Sequence, residues 1–215
     1  MPTAVFFDLD GTVVEFTRDY GEILVETFDE CLDAVDAGEL TERYDEAFFA
    51  RFEACEPEPV LGAMQAVLDE TGQDGDPHAL RETLHEKELA TTHVSDEARA
   101  LFTALGERHH LGVLTNGVPD WQRSKLAHHD LLETFDTVVA SYEAAAHKPD
   151  SRVYDLARER APDDVDQFVM VGDDYEPDVA GAREAGFQAV HLDRASEGAR
   201  VESLGELRTL LGLLS

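Results

Sequence analysis

Five short apolar runs constrain this chain more than any other feature. AVFFD (4–8), HLGVLTNG (110–117), FDTVVAS (135–141) and FVMVGDD (168–174) each end in polar, small or glycine residues, and FQAVHL (187–192) follows the last of them. Unbroken apolar runs rich in Val and Phe mark strands buried on both faces, as in a parallel sheet. Helical signals lie between them. Ser95 caps a segment running to about Arg108, with acidic residues in its first turn. Pro119 opens another to about His128, Asp150 a third to Arg160, and Pro177 a fourth to Ala185, closed by Gly186. Strand and helix in alternation predict an α/β fold with a doubly wound parallel sheet.

One interval breaks that alternation. From about Glu15 to Thr92 there is helical periodicity and no convincing strand. The apolar face Tyr20-Ile23-Leu24-Thr27-Phe28-Cys31-Leu32-Val35 is followed by Tyr44-Ala47-Phe48-Arg51-Phe52 and by Val60 to Leu68. The aromatics Phe28, Tyr44, Phe48, Phe49 and Phe52 recur at helical spacing and read mostly as core of this segment. So long a stretch exceeds an ordinary loop. The expected organisation is therefore an α/β core of residues 1–14 and 93–215, with an inserted helical cap domain over 15–92. A final helix over 201–214 is expected to close the core.

Charge narrows the partners. The chain of 215 residues carries 17 Lys and Arg against 47 Asp and Glu, a formal net charge of −30. Such a field repels nucleic acid and anionic membranes, so neither is an expected partner. A hydrophobic content of 43% rules against disorder. What remains is a carboxylate-rich surface that needs salt to screen it, the pattern of halophilic proteins. No apolar run has membrane-spanning length and the N-terminus lacks signal-peptide character, so a cytoplasmic protein is expected. Cys31 and Cys55 form neither a disulfide framework nor a metal spacing and read as free thiols. The adjacent pairs His109-His110 and His128-His129 point apart and read as structural.

In open parallel sheets, sites form at the carboxyl ends of the strands. Those ends carry Asp8 and Asp10, then Thr115 and Asn116, a loop reaching Lys148, and Asp173, Asp174 and Asp178. Carboxylates gathered without compensation repel one another and hold their protons. A hard divalent cation relieves this, and an all-oxygen site suits Mg2+. A carboxylate cluster, a cation, a lysine and a hydroxyl together describe phosphoryl transfer. On an extended chain Asp8 and Asp10, flanking Leu9, face the same way.

DLDGT (8–12), LTNG (114–117), Lys148-Pro149 and VGDDYEPD (171–178) resemble the four signature motifs of the haloacid dehalogenase superfamily, in the family's order and on the expected elements. The insertion after the first motif resembles that family's C1-type cap of subfamily I. The resemblance implies that Asp8 is the nucleophile, forming an aspartyl-phosphate, and that Asp10 protonates the leaving alcohol and then activates water. It implies Mg2+ held by the Asp8 and Asp173 side chains with the Asp10 backbone carbonyl. Thr115 and backbone amides around Leu9, Asn116 and Gly117 would bind phosphoryl oxygens. Lys148 would stabilise Asp8 and the transferring charge, and Asp178 would orient Lys148 or metal-bound water. Thr12 would tie the loop, and Asp174 is left open between the metal site and solvent.

Asp10 also selects among the family's chemistries, because the dehalogenases lack an acid there: halide leaves unprotonated. A Mg2+-dependent phosphatase acting on a small phosphorylated metabolite is expected, as monomer or homodimer. A phosphomutase, a 2-haloacid dehalogenase and a catalytically silent binding protein are the alternatives. LTNGVPDWQRSKL (114–126), with Gln122, Lys125 and Leu126, resembles the branch of pyrimidine nucleotidases and N-acylneuraminate-9-phosphatases. That helix is expected to pack on the core and to mark lineage only. In the cap, Arg18, Arg43 and Arg51 are candidates for a remote anionic group, with surface ion pairs the equal alternative.

Overall fold

The computed structural model describes residues 3–33 and 36–192. In chain order the elements are β1 (Thr3–Phe7), β2 (Glu15–Phe16), α1 (Tyr20–Cys31), α2 (Ala37–Glu53), α3 (Pro59–Thr71), α4 (Pro77–Thr91) and β3 (Thr92–His93). There follow α5 (Asp96–Gly106), β4 (His110–Thr115), α6 (Pro119–His128), β5 (Thr137–Ala140), α7 (Ser151–Arg160), β6 (Gln167–Gly172), α8 (Gly181–Glu184) and β7 (Gln188–His191). The helix expected over 201–214 lies outside the described residues. The chain divides into two compact units, residues 1–15 with 93–215, and residues 16–92.

The first unit holds a five-stranded sheet in the order β5-β4-β1-β6-β7. Every neighbouring pair is parallel. β1 lies at its centre, with Phe7 opposite Val113 on β4 and opposite Val171 on β6. Alternate side chains of a strand leave by opposite faces, and β1 does this with apolar residues on both. Val5 and Phe7 join Val113, Val171, Leu101, Phe102, Leu105 and Leu126 in one buried cluster. Ala4 and Phe6 join Leu114, Met170, Val153, Tyr154 and Ala157 in the other. The Phe7 ring meets Phe102 edge-on with centroids 5.2 Å apart. Gly112 is fixed by the same packing, because a Cβ there would stand 2.3 Å from the Phe6 ring.

The expected helix boundaries follow from local chemistry. The Ser95 side chain accepts from the Ala98 amide and caps α5, and the Asp150 side chain accepts from Arg152 and caps α7. Pro119 occupies the first turn of α6, where its missing N–H costs nothing. Pro177 behaves differently from its sequence reading. It sits inside a π-helical turn, Tyr175–Ala180, that starts two residues earlier and runs into α8. The wider turn brings Asp178 inward, to 1% exposure.

The second unit is helical, α1 to α4, with Phe28, Tyr44, Met64, Leu80 and Leu84 fully buried. The reading of its aromatics as core needs one correction: Phe49 is 56% exposed, one position out of register with the Tyr44 and Phe48 stack on α2. The expectation of no strand between Glu15 and Thr92 is also corrected. β2 and β3 pair in a two-stranded sheet. Two residues per strand are too few for alternation to register in a sequence.

Candidate active site

All the strand-end residues singled out in the sequence lie in the first unit. The Asp8 amide donates to the Val171 carbonyl at 2.8 Å, so β1 stays paired up to the residue whose carboxylate leaves the sheet. The chain then turns. The Leu9 carbonyl accepts from the amides of Thr12, Val13 and Val14, and Gly11 takes a φ of +85°. A Cβ on Gly11 would stand 2.3 Å from Asp173 Oδ2, so only glycine lets the two loops approach. Thr12 Oγ1 donates to Asp173 Oδ1 at 2.7 Å and ties the first loop to the last.

Lys148 is buried at the centre of this arrangement. Its Nζ donates to Asp8 Oδ1 at 2.7 Å, to Asp178 Oδ1 at 2.6 Å and to the Leu114 carbonyl at 2.8 Å. Asn116 holds the lysine by its backbone: its Nδ2 donates to the Lys148 carbonyl at 3.1 Å and its Oδ1 accepts from the Lys148 amide at 2.7 Å. Asp178 fits beneath β6 because residue 172 is glycine, where a Cβ would lie 2.1 Å from Asp178 Oδ2. The Asp174 amide donates to that same Oδ2 at 3.2 Å, while its own side chain is exposed.

A cavity of about 230 Å³ opens over these groups, lined by Asp8, Asp10, Thr115, Asn116, Lys148, Asp173, Asp174, Pro177 and Asp178. The side chains that converge most closely are Asp8, Asp173 and Asp178, each offering a carboxylate oxygen within 4.8 Å of the others. Asp10 lines the same cavity but stands apart from these three carboxylates, held by α6. Lys125 Nζ donates to Asp10 Oδ1 and Gln122 Nε2 to Asp10 Oδ2, both at 2.8 Å. Gln122 Nε2 also reaches Thr115 Oγ1 at 2.9 Å and the Asn116 carbonyl at 3.2 Å. The Gly117 amide donates to Ser141 Oγ at 2.9 Å, and that hydroxyl also meets His147 Nδ1 at 2.9 Å, which accounts for the histidine beside the lysine.

Gln122, Lys125 and Leu126 do pack on the core, Leu126 within the main cluster and the other two 3% exposed. The sequence reading of them as lineage marks alone was incomplete. From two positions three apart on one helix face, Gln122 and Lys125 also hold Asp10. The cap arginines keep surface partners: Arg18 pairs with Glu22 and Glu26, Arg43 with Glu39 and Glu70, and Arg51 with Glu56.

Electrostatically the Lys148 cluster is one positive charge short. Burial lifts the Asp8 carboxyl from 3.8 to about 7, with Asp178 pushing the same way and Lys148 opposing. Burial lifts Asp178 as well, again against Lys148. The lysine is desolvated too, but its two carboxylate partners outweigh that and hold it above its ordinary value. The three shifts agree: two carboxylates around one ammonium retain a proton unless another cation arrives. Three convergent carboxylates with a charge deficit form a donor set that fits a hard, oxygen-seeking divalent ion.

This sets an expectation for stability against pH. Because the folded-state value of Asp8 lies above its unfolded value, its contribution is full below about pH 4 and is lost as pH rises through about 7. The metal-free protein, melted by calorimetry in chelator and high salt, is expected to lose several degrees of Tm between pH 5.5 and 8. Added Mg2+ is expected to restore them at pH 8 and to do little at pH 5.5. A Tm that climbs across this interval without metal would contradict the charge deficit.

A family model of haloacid dehalogenase-like hydrolases matches residues 2–186. Among named relatives, a phosphoserine phosphatase from Thermus thermophilus is 41% identical over 98 residues, which span 46% of this chain and 39% of that protein. A ribulose-1,5-bisphosphate 5-phosphatase from Halopiger xanaduensis is 28% identical over 97% of this chain and 92% of its own. Among solved structures, an HAD phosphatase from Thermococcus onnurineus superposes with a TM-score of 0.67 at 25% identity, covering 99% of this chain and 98% of that one. A 2-haloacid dehalogenase from Pseudomonas syringae shares the fold, with a TM-score of 0.76 at 22% identity over the whole of both chains. With the family model covering most of its length, and with a parallel sheet that carries Asp8, Lys148 and Asp178 at its rim, the chain belongs to the haloacid dehalogenase-like hydrolases.

Proposed function

We propose that the protein is a Mg2+-dependent phosphatase that cleaves phosphate monoesters of small metabolites through an aspartyl-phosphate on Asp8. One observation carries the reading: Lys148 Nζ bridges Asp8 and Asp178 at 2.7 and 2.6 Å, with Asp173 converging on the same point. Asp8 Oδ1 is engaged by the lysine, which leaves Oδ2 to attack phosphorus in line. As the new O–P bond forms, the bond from phosphorus to the ester oxygen breaks, and that oxygen takes a proton from Asp10. Asp10 then removes a proton from the incoming water, whose oxygen attacks phosphorus and frees phosphate and Asp8. The Thr115 hydroxyl and the backbone amides of Asp10 and Asn116 orient the phosphoryl oxygens, while the Gly117 amide stays with Ser141 Oγ, and Lys148 balances the phosphoryl charge. Asp8 and Asp173, with the Asp10 carbonyl and Asp178 beside them, would hold Mg2+. A bound ion would supply the missing positive charge, keeping Asp8 ionised and offsetting the negative charge of the phosphoryl group.

Asp10 is the reason to prefer this over dehalogenation, since a halide needs no proton. The named relatives above are phosphatases of small esters, which supports the same class. The test is phosphate release from a panel of sugar phosphates, phosphoserine and nucleotides, in high salt with and without Mg2+. Release that requires Mg2+ and favours one ester is expected. A folded protein that releases phosphate from none of them, yet frees chloride from 2-chloropropionate, would overturn the reading.

A further inference from the structure

The chain has three lysines, Lys87, Lys125 and Lys148, among its 17 basic residues. Two of the three are buried, and each is buried on one of the two aspartates of the DLD run. Lys148 meets Asp8, and Lys125, with its side chain 4% exposed, meets Asp10 at 2.8 Å. The ammonium of Lys125 has been taken out of water, which is costly unless the partner is fixed and well aligned. Gln122, 3% exposed, engages the second oxygen of the same carboxylate. Asp10 itself keeps a third of its side-chain surface open. Both of its oxygens are therefore located by α6, while one side of the group still faces the cavity. The single Gln122 amide nitrogen also touches Thr115 and the Asn116 carbonyl. It thereby fixes the distance between the first and second strand tips.

Resting on the phosphatase reading, we infer that Lys125 and Gln122 are positioning residues that aim the Asp10 carboxyl at the ester oxygen of the departing group. They touch no substrate: Lys125 acts through the Asp10 carboxyl, and Gln122 through that carboxyl and the Thr115 tip beside it. The signature of such a role is dependence on the leaving group. An alkoxide leaves only with a proton, whereas 2,4-dinitrophenolate leaves without one. Misplacing Asp10 therefore harms the attack step, which kcat/KM reports, for the first ester and spares it for the second. The later hydrolysis, common to both, enters kcat alone. A residue that merely holds the fold together would harm both alike.

The experiment compares kcat/KM of the native protein and Lys125→Met on an alkyl phosphate and on 2,4-dinitrophenyl phosphate, with Mg2+ saturating. The expected result is a loss of about 100-fold or more on the alkyl ester and little loss on the dinitrophenyl ester. Inhibition by inorganic phosphate should stay unchanged, because the phosphoryl site is intact. Equal losses on both esters, or no loss on either, would overturn the inference. Lys125→Leu carries the same comparison should Lys125→Met fold poorly, since Gln122 also contacts Thr115 and would disturb the phosphoryl site. A crystal structure of Lys125→Met tests the geometry without any turnover: Asp10 displaced supports the assignment, and Asp10 unmoved sinks it. A native protein inactive on both esters would instead count against the phosphatase reading, with the crystal structure still deciding the role of Lys125.

Discussion

Asp8→Asn is expected to abolish phosphate release, by about 10^4-fold or more, as when an enzyme loses its nucleophile, while the protein gains thermal stability in chelator at pH 8. The two effects have one origin. The carboxylate that attacks is the one that burial makes costly to ionise. Asparagine keeps its shape and removes its charge, leaving Lys148 and Asp178 as a balanced pair at 2.6 Å. The fall of Tm between pH 5.5 and 8 should flatten with it. Steady-state rates together with melting curves across that interval check both halves. Retained turnover would end the assignment of Asp8 as nucleophile. A variant that is inactive but melts lower than the native protein at pH 8 would show that Asp8 is not the costly charge.

Lys148→Met has the opposite expected sign on stability. It leaves two buried carboxylates facing each other and deprives the Leu114 carbonyl of its donor. Breaking a buried pair by removing one partner costs about 3–5 kcal/mol. For a chain of this size, that lowers Tm by about 6–20 °C. The loss should shrink toward pH 5, where a carboxyl can take up the proton the lysine no longer offsets, and Mg2+ should recover part of it at pH 8. Activity should fall with it, because the charge facing the phosphoryl group is gone. A variant melting within a degree or two of the native protein at pH 8 would show that the three groups are not electrostatically coupled.

What the sequence disclosed follows from how each signal is written. Strands β1, β4, β5 and β6 were legible because each lies in a largely apolar, mostly buried run, and the tips of β1, β4 and β6 because polar residues succeed those runs abruptly. β7, with Gln188 and His191 in its run and none of its four residues buried, was legible from its place after the last helix. α5, α6 and α7 were legible from Ser95, Pro119 and Asp150 at their starts. The π-helical turn was not, because the ring of Pro177 fits the first turn of an ordinary helix equally well and no residue announces a wider one. The clamp on Asp10 was missed for a different reason. Gln122 and Lys125 lie 112 and 115 residues from their partner, and nothing local marks a contact that only the crossover from β1 to β4 creates. A signal was there nonetheless: lysine is scarce in this chain, and a scarce residue set three positions from a glutamine on the helix after a strand tip points somewhere in particular.

The central place of β1 has a consequence for how the protein comes into being. On a ribosome adding about 5–20 residues per second, the first strand emerges long before either neighbour exists. β4 begins at His110 and β6 at Gln167, so TAVFF waits, unpaired, for roughly a hundred residues and more. The helical segment 16–92 is complete in the meantime and needs none of the sheet's strands to form its local turns. Synthesis thus leaves this apolar strand without its sheet partners for several seconds on the nascent chain. In that interval a surface crowded with acidic residues keeps neighbouring chains apart.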